Sequence, residues 1–254
     1  MPRPKIIPIE AINLASRTGF ITKALFKEFI LGNRPKSSVN RRWSDLINSG
    51  FFNRHSDDRM ADVYLLNKRK KELQELLTQQ PVPPPYTGII RHDEIALRGI
   101  LLIEDRGFLE TWKVESEFKK TRMGAIQLES NSQNPKFPDA ILNFKAPYKP
   151  IRVAIEIELT QKEKRRYERI LNAYSFAQNL DLIVFVCANK QIENTIIGTA
   201  SKFFYPSAGA ELGIMTKMDW LTDPVLGDLR CQKTVSSLGT WIDDRENVQI
   251  QNAK

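Results

Sequence analysis

The sequence predicts a mixed α/β (α+β) protein of two domains, and three observations carry that expectation. The stretch TQQPVPPPYTG, residues 78–88, holds four of the chain's 14 prolines; it cannot continue a helix and reads as a joint. Before it lie three short helical patterns and a hairpin signal. After it, apolar residues follow the order helix, strand, strand, strand, helix, strand. The expected boundaries are residues 1–80, a linker at 81–88, and residues 89–254.

In the first region, Ile9, Ile12 and Ala15 mark one face of IEAINLAS, and Thr18-Gly19 ends that helix. ITKALFKEFIL repeats Ile21, Leu25, Phe26, Phe29 and Ile30, and Gly32-Asn33 stops it. A third helix is expected from about Ser37 to Asn48, with Val39, Trp43, Leu46 and Ile47 at core spacing. FFNRHSDDRMADVYLL then suits two strands around a polar turn. Three helices followed by a hairpin is the order of a winged helix-turn-helix, whose third helix enters the major groove.

Charge agrees with that expectation. The chain of 254 residues carries a formal +8, and residues 1–80 hold 15 Lys/Arg against 8 Asp/Glu. Lys and Arg that neutralise phosphates release counterions, so a polyanion is the natural partner; a solubilising surface is the ordinary alternative. Arg34, Lys36, Arg41, Arg42 and Arg54 cluster with only Asp45 between them. With Ser38 and Asn40, they are the residue types that contact phosphates and base edges, and Arg59 joins Arg54 on the hairpin. Trp43 reads as core.

Composition narrows the function classes. Two histidines, His55 and His92, cannot build a three-His metal cluster, and Cys187 and Cys231 are too few for a four-cysteine zinc site. No apolar run reaches the roughly 18 residues of a membrane helix and the start lacks a signal-peptide core. No membrane association is expected, and the expected location is the cytoplasm.

In the second region, RHDEIALRGILLIED reads as a helix and GFLETWKVESEF as a strand. FPDAILNF and IRVAIEIEL are two more strands. QKEKRRYERILNAYSFAQNL is an amphipathic helix, DLIVFVCA a buried central strand, KQIENTIIGTASKFF a helix and LGIMT a last strand. Glu156 and Glu158, two apart, project from the strand face opposite Ile155 and Ile157. Adjacent carboxylates repel unless a positive group compensates, and a hard divalent cation with Asp139 as third oxygen ligand is one such compensator. An amphipathic edge strand with an outward Glu face is the ordinary alternative.

FPDAILNF, VAIEIELTQ and the basic helix after them resemble the PD-(D/E)XK restriction-endonuclease-like fold over roughly residues 90–190. Glu158 stands where that motif usually has Lys. With the winged helix and a Lys/Arg-Tyr pair, the chain looks more narrowly like the MOBC-class relaxases and related replication–relaxation proteins. That resemblance implies nicking of one DNA strand at a plasmid origin of transfer, with Mg²⁺ or Mn²⁺. It implies Asp139, Glu156 and Glu158 as acidic metal ligands, and Arg166-Tyr167 as the basic–Tyr pair. It also implies other relaxosome or coupling proteins as partners.

Lys164 and Arg165, with Lys162, Arg166 and Arg169, either hold the scissile strand or form a solvated helix face that Glu163 and Glu168 partly neutralise, and Lys162 or Lys164 is a candidate for the missing lysine. Tyr167 and Tyr174, seven apart, share a helix face, either as packing residues or near the reaction. Glu94, Glu115 and Glu117 are further acid candidates, and Cys187 reads as core. The tail from Trp220 onward shows no catalytic signature. Two other functions share these features. One is a site-specific restriction or transposon-end endonuclease; the other is a non-catalytic DNA-binding replication or mobilization regulator with a degenerate nuclease fold.

Overall fold

The computed structural model describes residues 9–55, 63–69, 71–77, 80–84, 90–121, 137–206, 209–231 and 234–252. It is mixed α/β and divides into two compact units, Met1–Glu94 and Ile95–Lys254. The division falls inside a helix, whereas the expected second domain begins at residue 89.

Unit 1 begins with α1 (Ile9–Thr18), which Gly19 ends at φ +84°. Ile12 and Ala15 are fully buried, but Ile9, expected on the same face, is about half exposed at the helix start. Ile21–Thr22 do not open the next helix as expected. They form a short strand, β1, that pairs antiparallel with β3 (Val63–Leu66). The β-branched pair suits extended backbone, and Thr22 then caps α2 (Lys23–Phe26) by accepting the Leu25 N–H at 3.2 Å. A π-helical turn, Lys27–Leu31, continues to Gly32 at φ +59°.

Helix α3 spans Lys36–Ile47, and β2 (Phe52–Arg54) pairs with β3 to give the sheet order β1-β3-β2. Trp43 is core as expected, 5.4 Å from the rings of both Phe26 and Tyr64. Burying Phe26 alone contributes about 1.5–3 kcal/mol. A short helix α4 (Lys71–Leu76) follows. Part of the Pro-rich stretch is packed against unit 1: Val82 is buried and its N–H donates to Ser16 O at 2.7 Å. A Cβ at Gly19 would meet Pro83 O at 2.5 Å, so that contact requires glycine. Arg59, most of the hairpin turn and residues 85–88 of the expected linker lie outside the described residues.

Helix α5 (Ile90–Asp105) leads into unit 2. The expected long strand from Gly107 ends early: β4 is Leu109–Val114, and Glu115–Thr121 form a helix, α6. Glu115 and Glu117 are therefore helical. Strands β5 (Ala140–Phe144) and β6 (Ile151–Glu158) follow, then α7 (Lys164–Ser175), β7 (Leu182–Cys187), α8 (Lys190–Phe203) and β8 (Glu211–Thr216). The tail adds α9 (Lys217–Thr222), β9 (Asp228–Cys231), β10 (Val235–Ser237) and α10 (Leu238–Asn252).

Seven described strands form one sheet, β10-β9-β8-β7-β6-β5-β4. Pairing is antiparallel from β4 to β6, parallel from β6 to β8 and antiparallel beyond. The parallel neighbours need crossovers, and α7 and α8 supply them. Tyr167, Ile170, Leu171, Ile192 and Ile196 from these helices pack with Ala154, Ile183 and Phe185 from one face of the sheet. Val153, Ile155, Val184 and Val186, on the other face, are fully buried too. Strand β6 is therefore interior, which overturns the edge-strand alternative. Helix α5 meets α9 closely: Trp220 donates its indole N–H to Ile95 O at 2.9 Å, and a Cβ at Gly99 would fall 2.0 Å from that ring.

Candidate functional site: carboxylates beneath a helix

Central strands of a covered sheet normally read as continuous apolar runs, and β6 does so until Glu156. Alternation puts Glu156 and Glu158 on the face of Ala154, toward α7 and α8, while Ile155 and Ile157 face the other way. Both glutamates are essentially without solvent exposure, at 1% and 0%. A buried ionisable group on a central strand is costly unless it is partnered, so its contacts show what the strand accommodates.

The partners come from α7 and the loop before it. Because α7 runs back over β6, Tyr167 near its start reaches Glu158, and Tyr174, two turns later, reaches Glu156. The Tyr174 hydroxyl donates to Glu156 Oε1, and the Tyr167 hydroxyl lies 3.4 Å from Glu158 Oε2. Lys162 places its Nζ 2.6 Å from Glu158 Oε1, an ion pair in which the carboxylate is wholly buried and the lysine about one-fifth exposed. The Lys162 N–H donates to Tyr167 Oη at 3.3 Å, closing a small loop around Glu158.

Asp139 completes the cluster from β5. The register pairs Ala140 with Ile155, so Asp139, one residue earlier, is level with Glu156. Its N–H donates to Ile155 O at 3.0 Å, and its carboxylate Oδ2 accepts the Ile157 N–H at 2.6 Å. The side chain is thus tied to the amide between the two glutamates. Asp139 itself is partly exposed.

Electrostatics record this proximity. Burial, then the charge of Glu156 and the hydrogen bond to it, hold the Tyr174 hydroxyl well above the usual phenol range, with Asp139 and Glu158 adding to the shift. All three carboxylates therefore act on one hydroxyl. Burial and then Glu158 push Tyr167 up to about 12. Cys187, opposite Glu158 in the β6–β7 register, is also raised to about 12, by burial and then by Glu158. It is a protonated core thiol.

Among the described residues, no three His, Cys, Asp or Glu side chains form a group arranged to hold a metal ion. The donor set nevertheless has the right chemistry, since oxygen-only carboxylates suit a hard divalent cation. In the present arrangement Tyr174 engages Glu156, Lys162 and Tyr167 engage Glu158 through its two oxygens, and the Ile157 amide engages Asp139.

Other expected residues are placed elsewhere. Lys164, Arg165 and Arg166 are exposed on the first turn of α7, whereas the adjacent Tyr167 is fully buried. Glu94 belongs to unit 1, where it accepts the Thr22 hydroxyl at 2.5 Å. The Glu115 N–H donates to Asp139 O at 3.0 Å, which sets the start of α6 beside the cluster. In unit 1, Arg34, Lys36, Asn40, Arg41 and Arg54 are exposed, and Ser38 and Arg42 are partly so. The buried Nε of Arg42 makes no hydrogen bond.

The site residues that the resemblance implies do not include Lys162 and Tyr174, both of which contact the acids. Lys162 is the first cation past the strand, four residues after Glu158, and Tyr174 lies two helical turns after Tyr167. Those spacings were the available signals. Comparison with protein-family models, with curated proteins and with solved structures finds no match to this chain.

Proposed function

We propose that this chain is a DNA-processing protein that nicks one strand of a duplex in a divalent-cation-dependent reaction, as a relaxase acting at a plasmid origin of transfer. The observation that carries the reading is the tether of the Asp139 carboxylate to the Ile157 amide, between Glu156 and Glu158. It makes three oxygen donors from two adjacent strands one unit.

Further support comes from the element order of unit 2, helix–strand–strand–strand–helix–strand with α6 inserted, and from the three helices and hairpin of unit 1. Mg²⁺ or Mn²⁺ would be held by Asp139, Glu156 and Glu158 and would supply Lewis-acid polarisation and a more acidic bound water. The chain's own residues have separable tasks. Lys162 brings to Glu158 the ammonium that the resemblance leaves missing at position 158, where it can also meet a phosphate oxygen. Tyr167 is buried and protonated at neutral pH, so it donates a hydrogen bond and orients Glu158. The reading accordingly assigns attack on phosphorus to water and not to Tyr167. The exposed cations of α3 hold duplex phosphates.

The second reading, a DNA-binding regulator that does not cut, is favoured by one observation: Tyr174 and Lys162 already engage Glu156 and Glu158. A supercoiled-plasmid assay with Mg²⁺ or Mn²⁺ separates the two. Open circles that vanish with Asp139→Ala and with Glu156→Ala support the nickase. Linear product points to a double-strand endonuclease, and binding without cutting points to the regulator. Equal nicking of plasmids with and without a transfer origin removes the mobilization role.

A further inference from the structure

The buried acid of α8 lies outside the carboxylate cluster. Glu193, on the first turn of α8, is 2% exposed and pairs with two cations at once: Lys190 Nζ and Arg230 Nη1, each 2.6 Å from its Oε1. One cation neutralises a buried carboxylate, so the second leaves the trio with a net positive charge. That charge faces solvent, because the Lys190 side chain is 65% exposed and Arg230 28%. Arg230 meets Glu193 through Nη1, and a guanidinium presents further N–H donors in a fixed fork.

This trio adjoins the carboxylates of β6. Gln161 Nε2, in the loop that carries Lys162, donates to Thr195 Oγ1 of α8 at 3.2 Å. Cys187, opposite Glu158 in the sheet register, lies in the field of Glu158, Glu193 and Arg230 together. Two cations pinned by one acid, with net positive charge open to solvent, suit a phosphate oxyanion.

We propose that Lys190 and Arg230, positioned by Glu193, form a phosphate-binding site for a phosphodiester of the nucleic-acid strand that lies across the carboxylate cluster. This rests on the reading that the chain handles DNA, but not on its cutting DNA. The site orients the strand and does not touch the reacting atoms.

The test measures binding of a fluorescent single-stranded oligonucleotide of about 30 nucleotides by the full chain in EDTA, between about 50 and 200 mM salt. Lys190→Gln, which leaves Arg230 to neutralise Glu193, is expected to reduce the salt slope by about 0.7–1 and to weaken binding roughly 3- to 10-fold. Arg230→Gln is expected to do the same. Lys202→Gln, an exposed cation in the last turn of the same helix, is expected to leave the slope unchanged.

An unchanged slope in Lys190→Gln, or an equal fall in Lys202→Gln, overturns the proposal. So does complete displacement of the oligonucleotide by low-millimolar inorganic phosphate, which would assign the site to a small phosphate compound. A slope that falls in a chain that never nicks refutes the nuclease and leaves this site standing. Asp139-dependent nicking with an unmoved slope does the reverse.

Discussion

The two units use charge in opposite ways. In unit 1 the notable ions are cations in water: Arg34, just before α3, Lys36 and Arg41 on it and Arg54 on the hairpin are all exposed, and packing there comes from Trp43, Phe26 and Tyr64. In unit 2 they are anions in the interior: Glu156, Glu158 and Glu193 are each 2% exposed or less and held by hydroxyls, an ammonium or a guanidinium. Exposed ions contribute little to stability and can be spent on a polyanionic partner. Buried ions cost stability unless every partner is in place. The first arrangement suits adaptable binding and the second a fixed chemical geometry. Substitutions in unit 2 should therefore change chemistry and folding, and those in unit 1 only affinity.

The largest expected effect follows from the acids. Asp139→Ala is expected to reduce metal-dependent nicking by the several kcal/mol a bound ion supplies to a transition state, on the order of 10³-fold, read from initial rates on supercoiled DNA. Equal rates in the two proteins would remove the functional contrast between the units.

Next comes Lys162. Lys162→Met leaves Glu158 buried without its ammonium, and breaking such a pair costs about 3–5 kcal/mol when both partners are buried. With the lysine partly exposed, about 2–3 kcal/mol is expected in urea unfolding. The double variant with Glu158→Gln should recover most of it. A Lys162→Met loss below about 0.5 kcal/mol, the range of ordinary surface changes, would mean that this ion pair is not structural.

Much of this contrast was legible in the residues themselves. Strand periodicity located Glu156 and Glu158 on one face, and the Pro-Asp step located Asp139 at the entrance to the neighbouring strand. The helical patterns found α1, α3, α7 and α8. What remained hidden depended on pairing across long sequence separations. Ile21–Thr22 reads as the start of a helix because its apolar spacing is helical; only β3, about forty residues later, makes it a strand. Val114 ends β4 where GFLETWKVESEF still alternates, since its partner Ala140 is the first residue of β5 and only the Glu115 N–H to Asp139 O bond lies beyond that pair. Burial of β6 on both faces requires β5 and β7 alongside and α7 above, none of which a Glu-X-Glu spacing encodes. Arg230 comes from a tail strand, with no local pattern linking it to Glu193.

The tyrosines offer a third way to probe the interior, through pH. Two of the chain's six tyrosines, Tyr167 and Tyr174, are expected to stay protonated as the solution passes pH 10, where exposed phenols ionise. The unfolded chain releases these protons near pH 10 and the folded chain does not. The resulting stability is fully present below pH 10 and is lost as pH rises toward about 12, the value for Tyr167. In that window stability should fall by up to about 1.4 kcal/mol per pH unit for each retained proton. Near-ultraviolet titration of tyrosinate should show the deficit in the native protein, and Tyr174→Phe should reduce it by one phenol. Six equivalent tyrosines ionising near pH 10 would contradict a sealed α7–β6 interface.

The smallest expected change in stability is on the opposite surface type. Arg41 is exposed on α3, so Arg41→Ala should alter unfolding free energy by less than about 0.5 kcal/mol. If the residue contacts a phosphate, the same change should reduce the salt slope of duplex binding by about 0.9, uniformly across sequences. If it reads a base edge, the loss should depend on sequence, by about 1–3 kcal/mol at one position. Titrating one operator-length duplex and a scrambled control at several salt concentrations distinguishes these outcomes. An unmoved slope with unmoved specificity would make the α3 cations a solvated face, and the contrast between the units would become one of exposure alone. A large stability loss would be the more damaging result, because it would place a structural ion in the region where packing is apolar.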